Sequence, residues 1–366
     1  MRKLLVLPLL WIAAPGARAG EAPPPVRLAI VGLVHDHVTG MIPGLAGRTD
    51  VQLVGIVEPN QELSALYADK FHLDRKLFFP TLDALRATAQ VQAVATFTST
   101  FDHRRVVEMC APLGIDVMME KPLAVSMDDA RAMQAAAKKG GIQVIVNYET
   151  TWYPSNKSAY DLVHGGAIGD LQKIVVRDGH SGPAAICSPY FLAWLTDPVL
   201  NGGGALMDFG CYGADLVTWL MDGRRPTSVF AVTQHLQPKV YPRVDDDATI
   251  VLTYPGTQAI LEPSWDWPYG RKDMDIYGQK GALRLPNGSS LFLRMGNAPE
   301  TAVAAPALAS PGSDALSYLV AVVRREIQPS GLSSLGVNMV VTEILDAAKE
   351  SALTGRRVDL APDAAP

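Results

Sequence analysis

The stretch VRLAIVGLVHDHVTG, Val26 to Gly40, decides the fold. Five apolar residues in six lead to Gly32, and a helix-like run follows. A buried strand, a glycine turn and a helix open a βαβ unit of the dinucleotide-binding kind. The fingerprint of such a turn is G-x-G-x-x-G, whose glycines let the backbone approach a diphosphate. Here Val34 and His37 occupy the second and third glycine positions, so Gly32 alone is left to make the bend. Glu58 closes the next apolar run, in GIVEP. An acid at that place accepts the ribose hydroxyls of an adenosine and repels a 2′-phosphate, which favours NAD over NADP. The stretch therefore predicts a modified but working nicotinamide site.

Strand and helix patterns alternate from there to Asn147. VQLVGIV, VQAVATF, IDVMME and IQVIVNY read as strands. ELSALYADKF, TLDALRAT, HRRVVEMCAPL and MDDARAMQAAAKK carry apolar residues at helical spacing. Such alternation predicts an α/β domain over residues 20–147, a doubly wound parallel sheet of the Rossmann kind. From 148 to 366 the texture changes. DLQKIVVRDGHSG, SVFAVTQHLQ, DDATIVLTY, QAILEPSWDW, KDMDIYG and ALRLPNG read as consecutive strands. SAYDLVHGG and GALMDFGCYGADLVTWLMDG read as helices among them, and DALSYLVAVVRREI and NMVVTEILDAAKESAL as two more that close the chain. A C-terminal α+β domain with a largely antiparallel open sheet is expected.

Residues 1–19 have the layout of a signal peptide. Arg2 and Lys3 precede LLVLPLLWIAA, and the small-x-small run ARA ends at Ala19. The apolar run is too short and too Pro-broken to span a membrane, which takes roughly 20 residues. A periplasmic or secreted protein is expected. Cleavage removes Arg2, Lys3 and Arg18 and so takes the basic residues from 32 to 29 against 37 acidic ones. That balance disfavours nucleic acid and anionic membrane as partners. Three cysteines, Cys110, Cys187 and Cys211, are too few and too scattered for a disulfide framework or a thiolate metal site, so free buried thiols are expected. His35 and His37 form an H-x-H pair without a third ligand at a fixed spacing, and no metal is assigned to them.

Glu120-Lys121-Pro122 follows a strand and precedes a helix, in MMEKPLAVSMDDARAM. TSTFDH (Thr98 to His103), NYETTWYP, GGGALMDFGCYGADL, IYGQKGAL and AAKESALTGRRV stand in order around it. With these motifs the chain resembles the glucose-fructose oxidoreductase/inositol dehydrogenase family, Gfo/Idh/MocA, over nearly all of its mature length. The resemblance implies NAD, a sugar or polyol substrate, and catalytic residues at Lys121, Asp208 and Tyr212. The family usually has His where Tyr212 stands; a Tyr-type branch, which includes glucose-fructose oxidoreductase, has Tyr. A desolvated ammonium lowers the pKa of a nearby hydroxyl and binds a substrate oxygen. Asp208 and Tyr212, four apart in one helical stretch, are expected to face the same side. Tyr212 is read as general acid/base, Lys121 as its electrostatic partner and Asp208 as orienter.

Cofactor contacts are expected from Gly32, Val34, His35, His37, Glu58, Thr98, His103, Glu120 and Lys121. Substrate contacts are expected from Glu149, Trp152 and His180. Glu149, Thr150 and Thr151 stand where the family has Asn and two Arg, an unpaired acid that disfavours anionic substrates. Trp152, Tyr153, Trp194, Trp265 and Trp267 are candidate stacking faces for a sugar ring. His103 is expected to cap its helix or border the cofactor, and Asp245, Asp246 and Asp247 to form a solvated strand entry.

Three functions are compatible with these residues. The first is an exported NAD-dependent oxidoreductase acting on a sugar, glycoside or polyol hydroxyl, with retained cofactor because a periplasm holds little free nicotinamide. The second is a glycoside hydrolase or lyase working by transient sugar oxidation. The third is a carbohydrate-binding relative without catalysis. Glu58 and the intact set Lys121, Asp208 and Tyr212 speak against the third. A homo-oligomer through the C-terminal sheet is plausible on symmetry grounds.

Overall fold

A computed structural model describes residues 23–361. Residues 1–19, expected from the sequence to be a signal peptide, lie outside the described residues.

β1 (Val26–Val31) runs into the Gly32 turn and α1 (Val38–Gly44). β2 (Val51–Val57), α2 (Gln61–Phe71), β3 (Phe78–Phe79), α3 (Leu82–Arg86) and β4 (Ala93–Thr96) follow. α4 (His103–Cys110), β5 (Asp116–Glu120), α5 (Met127–Gly140) and β6 (Val144–Asn147) complete the sequence-expected domain. The six strands pair in parallel, in the order β3-β2-β1-β4-β5-β6. Strand order reverses between β1 and β4, so their carboxyl ends form the crevice where open α/β sheets bind ligands. Asn60, Thr81 and Ser126 accept first-turn N–H groups of α2, α3 and α5, caps worth about 1 kcal/mol each. α1 is unlike them: seven residues long, with Pro43 inside and no side-chain cap.

The second half holds α6 (Pro154–His164), β7 (Leu171–Gly179), α7 (Pro189–Leu195), α8 (Ala205–Asp208) and α9 (Gly210–Leu220). Strands β8 (Ser228–Gln234), β9 (Asp247–Tyr254), β10 (Thr257–Ser264) and β11 (Arg271–Gly278) come next. Then come β12 (Gly281–Asn287), β13 (Ser290–Met295), β14 (Thr301–Val303), α10 (Ala315–Val323), α11 (Leu335–Thr354) and β15 (Val358–Asp359). Nine strands form one sheet in the order β14-β13-β12-β11-β7-β10-β9-β8-β15. β7 and β10 pair in parallel and every other pair is antiparallel. The largely antiparallel expectation is met, with a parallel seam at the middle. α9 and α11 cover one face, over Ile174, Val176, Ile250, Leu252 and Leu261. Period-two alternation turns the intervening residues to the other face, where Phe230, Val232 and Tyr277 are exposed.

Two departures matter for the site. The helix expected over 204–223 is two helices, Ala205–Asp208 and Gly210–Leu220, separated by a turn at Phe209. α10 also crosses back: Leu316, Leu319 and Val320 bury in one cluster with Leu28, Ile30 and Val38. Arg48–Asp314 and Arg325–Asp116 ion pairs flank that return. The N-terminal core is thus completed by residues from beyond 148. Among the described residues no helix is long and apolar enough to cross a membrane.

Candidate active site

Gly32 makes its bend at φ +82°, and a Cβ there would stand 2.6 Å from Thr98 Cγ2 and 3.0 Å from Thr98 N. Conformation and space both demand glycine. Glu58 is buried at the end of β2; its Oε2 accepts the Leu33 N–H and its Oε1 the Asn60 N–H, each at 2.9 Å. Burial raises its pKa while these two bonds pull it back. The acid borders a hollow with Ser64, Phe79 and Pro80. A glycine bend beside a carboxylate at the strand end fits the adenosine end of NAD. NAD is accordingly expected to bind more tightly than NADP, and Glu58→Gln to narrow that preference by about tenfold, the equivalent of about 1.4 kcal/mol of charge repulsion. Dissociation constants on stripped protein check this, and tighter NADP binding by the unaltered chain would contradict it.

The phosphate turn itself is heavily tied. His35 N–H donates to the Phe97 carbonyl at 3.0 Å, and Trp194 Nε1 to the Val34 carbonyl at 3.2 Å. Asp36 accepts both the N–H (2.7 Å) and the Oγ–H (2.6 Å) of Ser188, bolting the turn to α7. The His35 ring is buried, with Phe191 and Trp194 centroids 4.4 and 5.5 Å away. Burial lowers its pKa well below the ordinary value, so it is neutral. His37 Nδ1 meets Glu120 Oε2 at 2.9 Å.

Lys121 follows β5, and its side chain is 5% exposed. It pairs with the Asp208 carboxylate and donates to the Asp208 carbonyl at 3.1 Å. Asp208 Oδ2 accepts Trp265 Nε1–H at 2.9 Å. Burial alone would discharge both groups, but their attraction wins: the Lys121 pKa is raised and that of Asp208 lowered. The Tyr212 ring lies 5.1 Å from Lys121 Nζ and 4.5 Å from Lys272 Nζ. Burial pushes its phenol well above the ordinary tyrosine value, so at neutral pH it is an O–H donor. His180 stands edge-on to Phe209 at 4.9 Å; its Nδ1 accepts the Gly182 N–H at 3.0 Å, which leaves the ring proton on Nε2. Burial lowers its pKa too.

Lys121, Asp208, Tyr212 and His180 share a cleft of about 880 Å³ that Tyr269 and Arg284 also line. Its charges answer one another. Lys272 pairs with Glu149, to which the Tyr153 hydroxyl also donates. Arg177 reaches Asp273 at 3.2 Å and Asp275 at 2.8 Å. Glu149 is therefore not the unpaired acid expected, because β11 presents Lys272 to it. Beneath the cleft Asp178 is buried opposite Lys272 in the β7–β11 register, its Oδ1 without a partner. Burial pushes its pKa to about 8, against the pull of Lys272. The folded state thus holds a proton that the unfolded chain releases, and stability is expected to fall as pH rises from about 4 toward that value. Asp178→Asn should flatten this slope, which otherwise amounts to roughly 1.4 kcal/mol per pH unit in the window. Denaturation midpoints across pH give the slope, and an unchanged profile in the variant would sink the assignment.

Several expected site residues do other work. His103 does not cap α4; its Nδ1 bonds the Leu123 carbonyl at 3.1 Å and holds the loop after Lys121. Trp152 does not line the cleft; its Nε1 donates to Asn147 Oδ1 at 3.0 Å, and Asn147 Nδ2 donates to Glu120 Oε1 at 2.8 Å. Trp194 covers His35, Trp265 holds Asp208, and Trp267 lies under the Arg271 guanidinium at 4.4 Å. Of those five aromatics Tyr153 alone lines the cleft. Asp245 and Asp246 are clamps rather than a solvated entry. Asp245 accepts the Gly204 and Leu206 N–H groups at 2.9 and 2.7 Å, and buried Asp246 those of Leu236 and Gln237. Thr98 seals the Gly32 bend, and its Oγ1 lies 3.1 Å from that of Thr96. All three cysteines are unpaired; Cys110 and Cys211 are buried and Cys187 borders the cleft.

Residues 26–148 match the oxidoreductase family with an NAD-binding Rossmann fold, and residues 157–284 match the GFO/IDH/MocA C-terminal domain. The chain is 28% identical over 260 residues to trans-1,2-dihydrobenzene-1,2-diol dehydrogenase of Xenopus laevis, covering 68% of this chain and 74% of that one. It is 24% identical over 263 residues to inositol 2-dehydrogenase of Rhizobium meliloti, covering 70% and 73%. A crystal structure of aldose-aldose oxidoreductase from Caulobacter crescentus, complexed with glycerol, superposes with a TM-score of 0.78 at 26% identity, over 92% of this chain and 100% of that one.

Proposed function

The chain belongs to the GFO/IDH/MocA family of NAD-binding oxidoreductases, and from that premise we propose that it acts on a hydroxyl of a neutral sugar, glycoside or polyol, as an exported protein that retains its cofactor. It is an oxidoreductase of CH–OH groups and its cofactor is NAD. The observation that carries the substrate class is the self-neutralised cleft. Lys121 is answered by Asp208, Lys272 by Glu149, and Arg177 by Asp273 and Asp275. A carboxylate or phosphate would have to break one of these pairs to find a cation, whereas a ring of hydroxyls meets donors and acceptors together. Relatives named for a diol, an inositol and an aldose support the same class.

NAD supplies the hydride acceptor when bound. Tyr212 carries the proton of the reacting hydroxyl, and the Lys121 ammonium stabilises the substrate oxygen as charge develops on it. Asp208, itself fixed by Trp265, keeps that ammonium in place. The bolted phosphate turn, with Asp36 on Ser188 and Trp194 on Val34, supports slow cofactor exchange. Protein purified from its export compartment is expected to carry about one nicotinamide dinucleotide per chain, read by absorbance and mass of the denatured supernatant. It should reduce that cofactor once with neutral sugars or polyols and not with uronic or phosphorylated ones. A cofactor-free protein would end the retention reading, and a preference for the acids would end the substrate reading.

Export rests on the charged, apolar and small-residue segments of residues 1–19; mature protein that still began at Met1 would refute it. The open sheet face with Phe230, Val232 and Tyr277 is the surface through which a second copy would pair, and light scattering reads the resulting mass.

A further inference from the structure

His35 and His37 lack a third ligand in sequence, and the fold supplies one. Glu120 lies 83 positions beyond His37 and brings its Oε2 to 2.9 Å from His37 Nδ1. One ligand atom from each of His35, His37 and Glu120 lies within 4.8 Å of the other two. Among the described residues no other three His, Cys, Asp or Glu side chains converge in this way.

Three further features distinguish this group from a chance meeting. The His35 ring is 1% exposed; its Nδ1 accepts the His37 N–H at a long 3.3 Å and its Nε2 has no hydrogen-bond partner. An ion bound at Nε2 would displace the ring proton and give up that long contact. A buried polar atom left unpaired costs about 1–3 kcal/mol, which a ligand at the ring would recover. Glu120 is held from behind by Asn147 Nδ2 at 2.8 Å, and Asn147 by Trp152 Nε1 at 3.0 Å. Metal-binding side chains are characteristically oriented by such an outer layer of hydrogen bonds. The His37 side chain, 44% exposed, lines the cleft, so an ion held by the three would have one side open to it.

We propose that His35, His37 and Glu120 bind one divalent transition ion of the zinc class, with its remaining coordination position facing the cleft. Two imidazoles and a carboxylate suit zinc and its neighbours, whereas magnesium and calcium prefer cages of oxygen. Ligands about 2.0–2.1 Å from a tetrahedral ion stand about 3.3 Å apart, so the His37–Glu120 contact need open by only a few tenths of an ångström. The position also has a physical rationale. Val34 and His37 displace two of the glycines that bring backbone N–H groups to a diphosphate, and α1 is too short to contribute much dipole. A bound cation restores positive charge at that turn, with its open position available to an oxygen of the nucleotide.

The test uses the mature, tag-free chain, stripped with chelator and titrated with Zn²⁺ by calorimetry and with Co²⁺ by its visible absorption, Mg²⁺ serving as control. One equivalent of Zn²⁺ or Co²⁺ is expected, with no competition from Mg²⁺ and with tighter NAD binding in the loaded protein. His37→Gln and Glu120→Gln should each abolish stoichiometric uptake, and Asn147→Ala should weaken it by about 10–100-fold. His35→Gln should do the same as His37→Gln, with circular dichroism to check its fold. His37 is the half-exposed member and its variant keeps the test open if the buried one unfolds. Absence of stoichiometric uptake, or uptake unchanged in His37→Gln, overturns the site; equal NAD affinity with and without the ion overturns its role at the turn.

Discussion

Tyr212→Phe is expected to bind NAD as the unaltered chain does and to turn over roughly 10²–10⁴-fold more slowly, the usual worth of a general acid or base. The reasoning starts from burial. The Tyr212 phenol is pushed well above its ordinary pKa, so the neutral form dominates and can donate its proton when a carbonyl is reduced. In the oxidising direction the phenolate is needed, and kcat/KM should climb with pH through and beyond neutrality without a plateau. Removing the hydroxyl should remove that climb as well as the rate. Lys121→Met should slow turnover comparably, and the double variant should lose far less than the product of the two singles, because groups that act as a unit are not additive. His180 is the control. It is neutral, carries its proton on Nε2 and stands on the same wall. Full activity in Tyr212→Phe together with loss in His180→Gln would move the proton transfer to the histidine.

Much of this architecture was legible because it is written locally. Each strand of the parallel sheet from β1 to β6, except two-residue β3, appears as an apolar run, and Gly32 and Glu58 stand at the ends of theirs. Lys121, Asp208 and Tyr212 could be named from their motifs, and they do meet in one cleft. What could not be read is set by register and by tertiary approach. Lys272 lies in a strand whose alternation allots its charge no particular partner, and only pairing of β11 with β7 places it opposite Asp178 and against Glu149. Glu120 meets His37 because β5 and β1, with β4 between them, run in parallel and end on the same side of the sheet, a consequence of strand order that no spacing rule encodes. Trp152 and Trp265 have the composition of sugar platforms, but their N–H groups are committed to Asn147 and Asp208. A large aromatic with a polar handle satisfies that handle when buried, and sequence does not say with what. The Asp245-Asp246 pair misled for a related reason: Gly204 passes so close to Asp245 that a Cβ would stand 1.8 Å from its carbonyl oxygen, and that approach brings the Gly204 and Leu206 N–H groups onto the carboxylate. α10 is amphipathic in sequence, but which domain its apolar face joins depends on a crossing that local pattern does not show.

The Lys121–Asp208 pair should dominate stability as well as chemistry. Asp208→Asn leaves an ammonium buried without a counter-charge, and Lys121→Met leaves a carboxylate with the Trp265 N–H as its remaining side-chain partner. Breaking one side of a buried pair costs about 3–5 kcal/mol, whereas replacing both sides by neutral groups is often close to neutral. Each single variant is therefore expected to lose about that much in denaturant unfolding at an unchanged slope, and the double variant to recover most of it. The pH dependence should also change sign. In the unaltered chain the folded-state pKa of Asp208 is depressed, so its stabilisation is present above the ordinary carboxylate range and is lost as pH falls through the folded value. Without Lys121 burial governs, the folded-state pKa rises, and Lys121→Met should instead lose stability as pH increases. Singles and double that all stayed within about 1 kcal/mol of the parent would mean that the pair is effectively solvated, and the proposed electrostatic role of Lys121 would fall with it. A double variant that is as stable as the parent yet inactive would assign the pair to the reaction, since a buried charge pair that folding can dispense with is retained for another reason.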